Sequence, residues 1–184
     1  MPVIDRVTPE QALERVSSAL GDSISASGVS HGQIDVTCAP ARVVDVVSTL
    51  RTADGLQCEY FTFLSAVDRT EFGGEDVTKH GGLEVLIHLY SPNHVIHVNV
   101  HVPVDLENPV CPTITNVFGG ALWHERETHE MFGIDFEGHP KLVNLYLPED
   151  FAGTPMRRSF KLPSRNIKDW PGAKDPEEAA AGGR

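Results

Sequence analysis

The spacing of hydrophobic positions changes along the chain, and each change marks an element. Between Thr8 and Gly21, the apolar residues Ala12, Leu13, Val16 and Leu20 recur at helical spacing. Thr8 starts that helix, Pro9 takes its first position and Gln11 completes a capping-box pattern, while Gly21 marks the stop. Ser23 to Val29 and Gln33 to Thr37 read as a short hairpin. Pro40 opens a second helix with the stripe Val43, Val46, Val47 and Leu50, ended by Gly55. The aromatic and β-branched run from Glu59 to Val67 reads as a strand.

A strict alternation follows. Leu83, Val85, Ile87 and Leu89 alternate with Glu84, Leu86, His88 and Tyr90, and beyond Ser91-Pro92-Asn93-His94 the apolar set Ile96, Val98, Val100 and Val102 alternates with Val95, His97, Asn99 and His101. Pairing Tyr90 with Val95 puts both aliphatic sets on one face, with Ile87 opposite Val98 and Leu89 opposite Ile96. The other face then brings His88 beside His97 and Glu84 beside His101. A slip of one residue would bury His97 and His101 among aliphatics, so the pattern specifies the faces.

From Pro103 the periodicity fades. Pro103, Pro109 and Pro112 interrupt regular structure, Thr113 to Phe118 suits a turn of helix, and a helix from Ala121 to Phe132 stops at Gly133. Pro140, Pro148, Pro155 and Pro163 then punctuate an extended segment. Asp169 to Arg184 is polar and rich in Ala and Gly, the composition of a disordered tail. The expected architecture is α+β: helices packed on a mostly antiparallel or mixed sheet, followed by a charged helix and an extended C-terminal arm. The expected division is an α+β domain at 1–118, a charged helix and docking arm at 119–168, and the tail at 169–184.

Composition narrows the function classes. Asp and Glu number 26 against 15 Lys and Arg, a formal charge of −11. That balance opposes a nucleic-acid groove and unaided binding to an anionic membrane. The apolar runs are too short and too often broken by His, Glu or Pro to cross a bilayer, and Met1-Pro2-Val3-Ile4-Asp5 lacks the basic and apolar stretches of a secretion signal. Cys38, Cys58 and Cys111 are far apart and form no CxxC pair, so they read as buried, reduced thiols rather than ligands of a cluster or zinc.

The run Trp123 to Pro140 is dense in charge. One stretch of helix carries Glu125, Arg126, Glu127 and Glu130, with Met131 and Phe132 collected at its C-terminal end. Such a helix needs solvent or a partner that supplies complementary charge. The plainer reading is a solvated helix with Glu125–His129 and Glu127–Met131 spacings, worth about 0.2–0.5 kcal/mol per pair. The segment Leu147 to Phe160 then has too little periodicity to build its own layer, and Arg157 and Arg158 offer planar forks to carboxylates on another surface.

"WHERETHEMFGIDFEGHP" followed by "LYLPEDFAGTPMRRSF" resembles the C-terminal half of the 30-kDa subunit of respiratory complex I, the one designated C in bacteria. The match is long and ungapped, from about Pro109 to Leu162, and the preceding hairpin fits that subunit's strands in order. The resemblance implies a peripheral membrane protein, a cofactor-free subunit of a proton-translocating NADH:quinone oxidoreductase on the cytoplasmic face of the cell membrane. It implies that FMN, iron–sulfur clusters and quinone sit in partner subunits, and that this chain docks beside the quinone-site and terminal-cluster subunits with no catalytic residue. By the same resemblance, subunit-interface roles pass to Glu125, Arg126, Glu127, Met131, Phe132, Gly133, His139, Pro140, Glu149, Asp150, Arg157 and Arg158. The sequence departs from the family pattern at Glu130, where Asp is usual, at Val143 and Asn144, where a basic pair is usual, and at Phe151 and Thr154, which replace Trp and His. These departures also fit a divergent second copy of that subunit, or the equivalent subunit of a membrane-bound [NiFe] hydrogenase-type complex.

Other chemistries read less well. His124 and His129 are five apart, whereas a zinc-protease helix needs histidines four apart. His88 and His97, with Glu84 and His101 near, could hold a divalent metal in a stand-alone enzyme, but no Cys or Asp converges from this part of the sequence and a structural role is favoured. Gly73-Gly74, Gly81-Gly82 and Gly119-Gly120 lack the lysine and the strand–helix setting of a phosphate loop.

Overall fold

The computed structural model describes residues 6–70 and 82–162. Thr8, in extended conformation, caps helix α1 (Pro9–Leu20): its hydroxyl accepts from the Gln11 N–H at 3.4 Å, and the Gln11 side chain accepts from the Thr8 N–H at 3.2 Å. Both halves of the box are therefore made. Ala12, Val16 and Leu20 are buried. A tight 3-10 turn at Gly21–Ser23 takes up the start of the expected hairpin, so strand β1 begins later, at Ala26–Ser30. It pairs antiparallel with β2 (Gln33–Thr37) through His31 and Gly32, both at positive φ (51° and 77°), as a two-residue hairpin turn requires.

Pro40–Arg42 forms a 3-10 turn that leads into helix α2 (Val43–Thr52), whose Val43, Val46, Val47 and Leu50 are buried as their spacing predicts. The helix stops at Thr52, before Gly55. Strands β3 (Tyr60–Asp68), β4 (Leu83–Ser91) and β5 (Ile96–Val104) complete a five-stranded sheet of order β1-β2-β5-β4-β3. β2 and β5 run parallel and the other pairs antiparallel, so the fold is α+β with a mixed sheet. The aliphatic face of that sheet and the buried stripes of α1 and α2 share one core.

The β4–β5 register differs from the expected one by two residues: Tyr90 lies opposite His97, and Ile87 opposite Val100. Val95 adopts a left-handed conformation (φ 57°) and its N–H bonds to the Ser91 carbonyl at 2.8 Å. That closes the loop over Pro92–Val95 and moves the first pair to Ser91 and Ile96. A shift of two preserves the faces. The expected neighbours therefore still meet, on diagonals: His97 Nδ1 is 3.2 Å from His88 Nε2, and His101 Nδ1 is 3.4 Å from Glu84 Oε1.

Beyond the sheet, β6 (Val110–Pro112) pairs in parallel with β7 (Asp135–Glu137), a ladder the sequence pattern does not reveal. Between them lie the turn at 114–118 and helix α3 (Ala121–Phe132), whose ends match the expectation. The boundary expected after Phe118 falls in the turn before α3; β6 and β7 lie on either side of it, and Ala121, Phe132, Ile134 and Phe136 join the core. α3 runs along β3, the edge of the sheet. His124 Nδ1 donates to the Leu64 carbonyl at 3.1 Å, while the Phe61 ring stacks on Phe118 and meets His124 edge-on. An edge that could template pairing is thereby covered. Among the described residues, no helix is long and apolar enough to cross a membrane. The expected tail at 169–184, the Gly73-Gly74 pair and Gly81 lie outside the described residues.

Gly133 ends α3 in the left-handed region (φ 70°), and its N–H bonds to the His129 carbonyl at 2.7 Å. A Cβ there would stand 2.9 Å from Thr154 Cγ2, so the glycine serves both the helix stop and the seating of the arm. Gly133→Ala is expected to cost about 1–2 kcal/mol from its conformation and about 1–3 kcal/mol from the clash. Adding Thr154→Ser should recover the second part and leave the first. Urea denaturation of the two single variants and the double variant checks this; a double variant no more stable than additivity allows would place the arm elsewhere.

Candidate functional site

Helix α3 buries two carboxylates, and backbone amides satisfy both. Glu125 is fully inaccessible. Its Oε2 accepts from the Thr113 hydroxyl at 2.5 Å and its Oε1 from the Ile114 N–H at 2.8 Å. Burial pushes its pKa up to about 6, against the opposing effect of those two hydrogen bonds. Glu130 faces the arm and gathers three successive amides: Leu145 N–H at 2.7 Å, Tyr146 N–H at 2.9 Å and Leu147 N–H at 3.3 Å. Three consecutive N–H groups converging on one anion form a nest. The longer reach of Glu over the family's Asp is used here.

The cations of this region also bond within the chain. Arg126 donates from Nε to the Val143 carbonyl at 2.8 Å and from Nη2 to the Asn144 carbonyl at 2.7 Å. Arg157 donates from Nε to the Phe132 carbonyl at 2.6 Å, one of the carbonyls that a helix end leaves unpaired. The sequence makes no internal partner for this helix and arm evident, and the structure supplies several. Their partners are backbone atoms, which carry no sequence signature, and the plainer Glu125–His129 pairing gives way to Glu125–Thr113.

The remaining expected residues divide by position. Phe132 is buried, Met131 half-buried, and the Met131 carbonyl accepts from the Met156 N–H at 3.0 Å. His139 Nε2 donates to the Leu122 carbonyl at 3.1 Å and its Nδ1 accepts from the Lys141 N–H at 3.0 Å, which fixes the ring's tautomer. Pro140, Glu149, Asp150 and Arg158 are exposed, and Glu127 is half-buried. Asp68 was not singled out by the sequence. Its Oδ2 accepts from the Arg158 N–H at 2.9 Å, and its Oδ1 accepts from the Thr70 hydroxyl at 2.7 Å and N–H at 3.0 Å. Burial works to raise its pKa, but these bonds and the nearby Arg157 charge hold it below the ordinary carboxylate range.

The described histidines turn to other contacts. His124 turns to Leu64 and His129 to the Ile134 carbonyl at 3.0 Å, in different directions. On the open sheet face His88 stacks on Phe63, and burial followed by the charge of His97 lowers its pKa. His101 is raised, first by its hydrogen bond to Glu84, which Arg69 also contacts at 2.7 Å. Among the described residues, no three His, Cys, Asp or Glu side chains are grouped to hold a metal ion. Cys38, Cys58 and Cys111 are buried free thiols whose pKa burial raises to about 11, about 12 and about 12.

Because the folded chain holds the Glu125 proton up to about pH 6 and the ordinary value is 4.5, the carboxyl's contribution is fully present below pH 4.5 and lost as pH rises through about 6. At 1.36 kcal/mol per unit, the change is about 2 kcal/mol. Glu125→Gln should flatten that part of the stability–pH curve, read by urea denaturation at several pH values. An unchanged slope would assign the titration to another group.

The sequence profile described as "Respiratory-chain NADH dehydrogenase, 30 Kd subunit" matches residues 36–166. The NADH-quinone oxidoreductase subunit designated C of Roseiflexus sp. (strain RS-1) is 37% identical over 155 residues, covering 84% of this chain and 85% of that protein. A trypsin-resistant fragment of Nqo5 has a similar fold, with a TM-score of 0.56 at 23% identity over 71% of this chain and 99% of the fragment. A chain of the membrane-bound sulfane sulfur reductase, an archaeal respiratory membrane complex, is similar with a TM-score of 0.67 at 20% identity, covering 83% of this chain and 85% of that one. At those identities the two structures speak to the fold alone, whereas the sequence matches carry descent: the chain belongs to the family of the 30-kDa subunit of respiratory-chain NADH dehydrogenase.

Proposed function

We propose that this chain acts as a structural subunit of a proton-translocating NADH:quinone oxidoreductase, docked in its peripheral arm at the cytoplasmic face of the cell membrane. NADH oxidation at FMN, transfer through iron–sulfur centres and reduction of quinone then take place in partner subunits. This chain holds the subunits that carry the terminal cluster and the quinone site in register, without a cofactor of its own.

One observation supports this reading beyond family membership: among the described residues, most of the exposed large apolar side chains lie on the arm, with Val29, Tyr60 and Leu106 exposed elsewhere. Val143, Tyr146, Phe151, Met156 and Leu162 are exposed, Tyr146 to 66% and Leu162 to 83%, and Trp123 joins them from α3. Scattered apolar residues are normal on a monomer, whereas a set gathered on one element supports a binding surface. That element is tied to α3 by Glu130, Arg126 and Arg157. Of the interface residues, Glu127, Pro140, Glu149, Asp150 and Arg158 are the ones to meet a partner, and Glu125, Arg126, Phe132, Gly133 and Arg157 hold the surface from behind.

A second reading draws on the departures at Val143, Asn144, Phe151 and Thr154: the equivalent subunit of a hydrogenase-type complex. Affinity purification of the tagged chain from gently solubilised membranes separates the two. Co-purification with flavin-bearing, NADH-oxidising subunits is expected; recovery with a nickel–iron catalytic pair would favour the second reading, and recovery of the chain alone would sink both.

A further inference from the structure

Arg157 and Arg158 are neighbours in sequence and opposites in space. Arg157 turns inward, with Nε on the Phe132 carbonyl and Nη1 3.5 Å from the Leu106 carbonyl. Arg158 is exposed; its backbone N–H is bound by Asp68, and its guanidinium has no partner among the described residues. We infer that Arg158 is the fork with which the arm grips its neighbour, taking a carboxylate of another subunit of the complex, with Met156 packing beside it. The inference rests on the docking reading above and names the chemistry of that contact.

Three observations carry it. First, the backbone that presents Arg158 is fixed on both sides while its side chain is exposed. Met156 N–H bonds to the Met131 carbonyl at 3.0 Å, Arg157 N–H to the Thr154 carbonyl at 3.0 Å and Phe160 N–H to the Arg157 carbonyl at 3.1 Å. A site held this way has little left to order on binding. Second, Asp68, the acid bonded to this residue, is already satisfied by Thr70 and by the Arg158 amide. Third, apolar residues flank Arg158 along the arm. Met156 is 56% exposed, and exposed Phe151 rests against Phe160 with ring centroids 6.1 Å apart. Arginine and aromatic residues are enriched at energetically dominant interface positions, so an exposed arginine with exposed apolar residues close in sequence has the composition of one. The planar fork suits a bidentate carboxylate, and the chain's net charge of −11 opposes an anionic lipid as the source.

The test uses the full-length chain in its complex, with Arg158→Glu, Arg158→Lys and Arg157→Leu. Two quantities are read: the melting temperature of the purified chain, and the fraction retained with other subunits after gentle solubilisation at rising salt. Arg158→Glu should melt within about 2 °C of wild type, as a surface change does, yet be retained at least about tenfold less. Arg158→Lys should fall between, because charge remains and the fork is lost. Arg157→Leu should melt lower. Wild-type retention of Arg158→Glu would overturn the inference, as would a melting loss matching that of Arg157→Leu; wild-type retention of Arg158→Lys would overturn the bidentate contact. If the wild-type chain is itself recovered alone, the docking reading fails and takes the inference with it, an outcome distinct from retention of both wild type and Arg158→Glu.

Discussion

A carboxylate sealed from solvent on a helix must find donors or give up its charge. Glu125 meets that constraint with the Thr113 hydroxyl and the Ile114 N–H, both in the turn that follows β6. The turn is thereby fixed on α3, and the rest of this half of the molecule follows from it. Phe118, at the end of the turn, is placed to stack on Phe61, and α3 lies along β3 where His124 takes up the Leu64 carbonyl. β6 is held near enough to receive β7 when the chain returns after Gly133. One buried carboxyl organises an element with little apolar periodicity of its own.

The same logic extends to the arm. An extended segment without a ladder still has a donor and an acceptor at each non-proline peptide, and these must be served. Glu130 serves three donors at Leu145, Tyr146 and Leu147, Arg126 serves acceptors at Val143 and Asn144, and Arg157 serves the C-terminal end of α3 through the Phe132 carbonyl. Charge density on α3 is therefore a binding site for the chain's own backbone. The family's usual basic pair is absent at Val143 and Asn144, but their carbonyls, which any residue supplies, remain the partners of Arg126.

What could be read from the sequence was local. Thr8 with Gln11, the stripe of α2, the bounds of α3 and the two faces of the β4–β5 hairpin all follow from spacing within a few residues. The two-residue register shift was not legible, because it turns on the left-handed conformation of Val95, which β-branched residues rarely adopt. The β6–β7 ladder joins three-residue strands across α3, too short for alternation to register and too distant for local signals. Resemblance located the α3–arm unit, yet it treated Arg157 and Arg158 as an equivalent pair. Only geometry separates the inward side chain from the outward one.

In the proposed role, a subunit that positions others is useful in proportion to its own stiffness. Its thiols are buried with raised pKa values, so they stay protonated and unreactive at neutral pH. The histidines of the open face are engaged by Phe63, Glu84 and one another. Close approaches at Gly133 to Thr154 and at Gly153 to Phe160 seat the arm against α3 and against itself. Each such contact is made within the folded chain, before any neighbour arrives. Ordering entropy that a free arm would lose on assembly is lost at folding instead, where the core of α1, α2 and the sheet offsets it. In the proposed docking role, the interface energy of the exposed residues can then go to holding the neighbour in place.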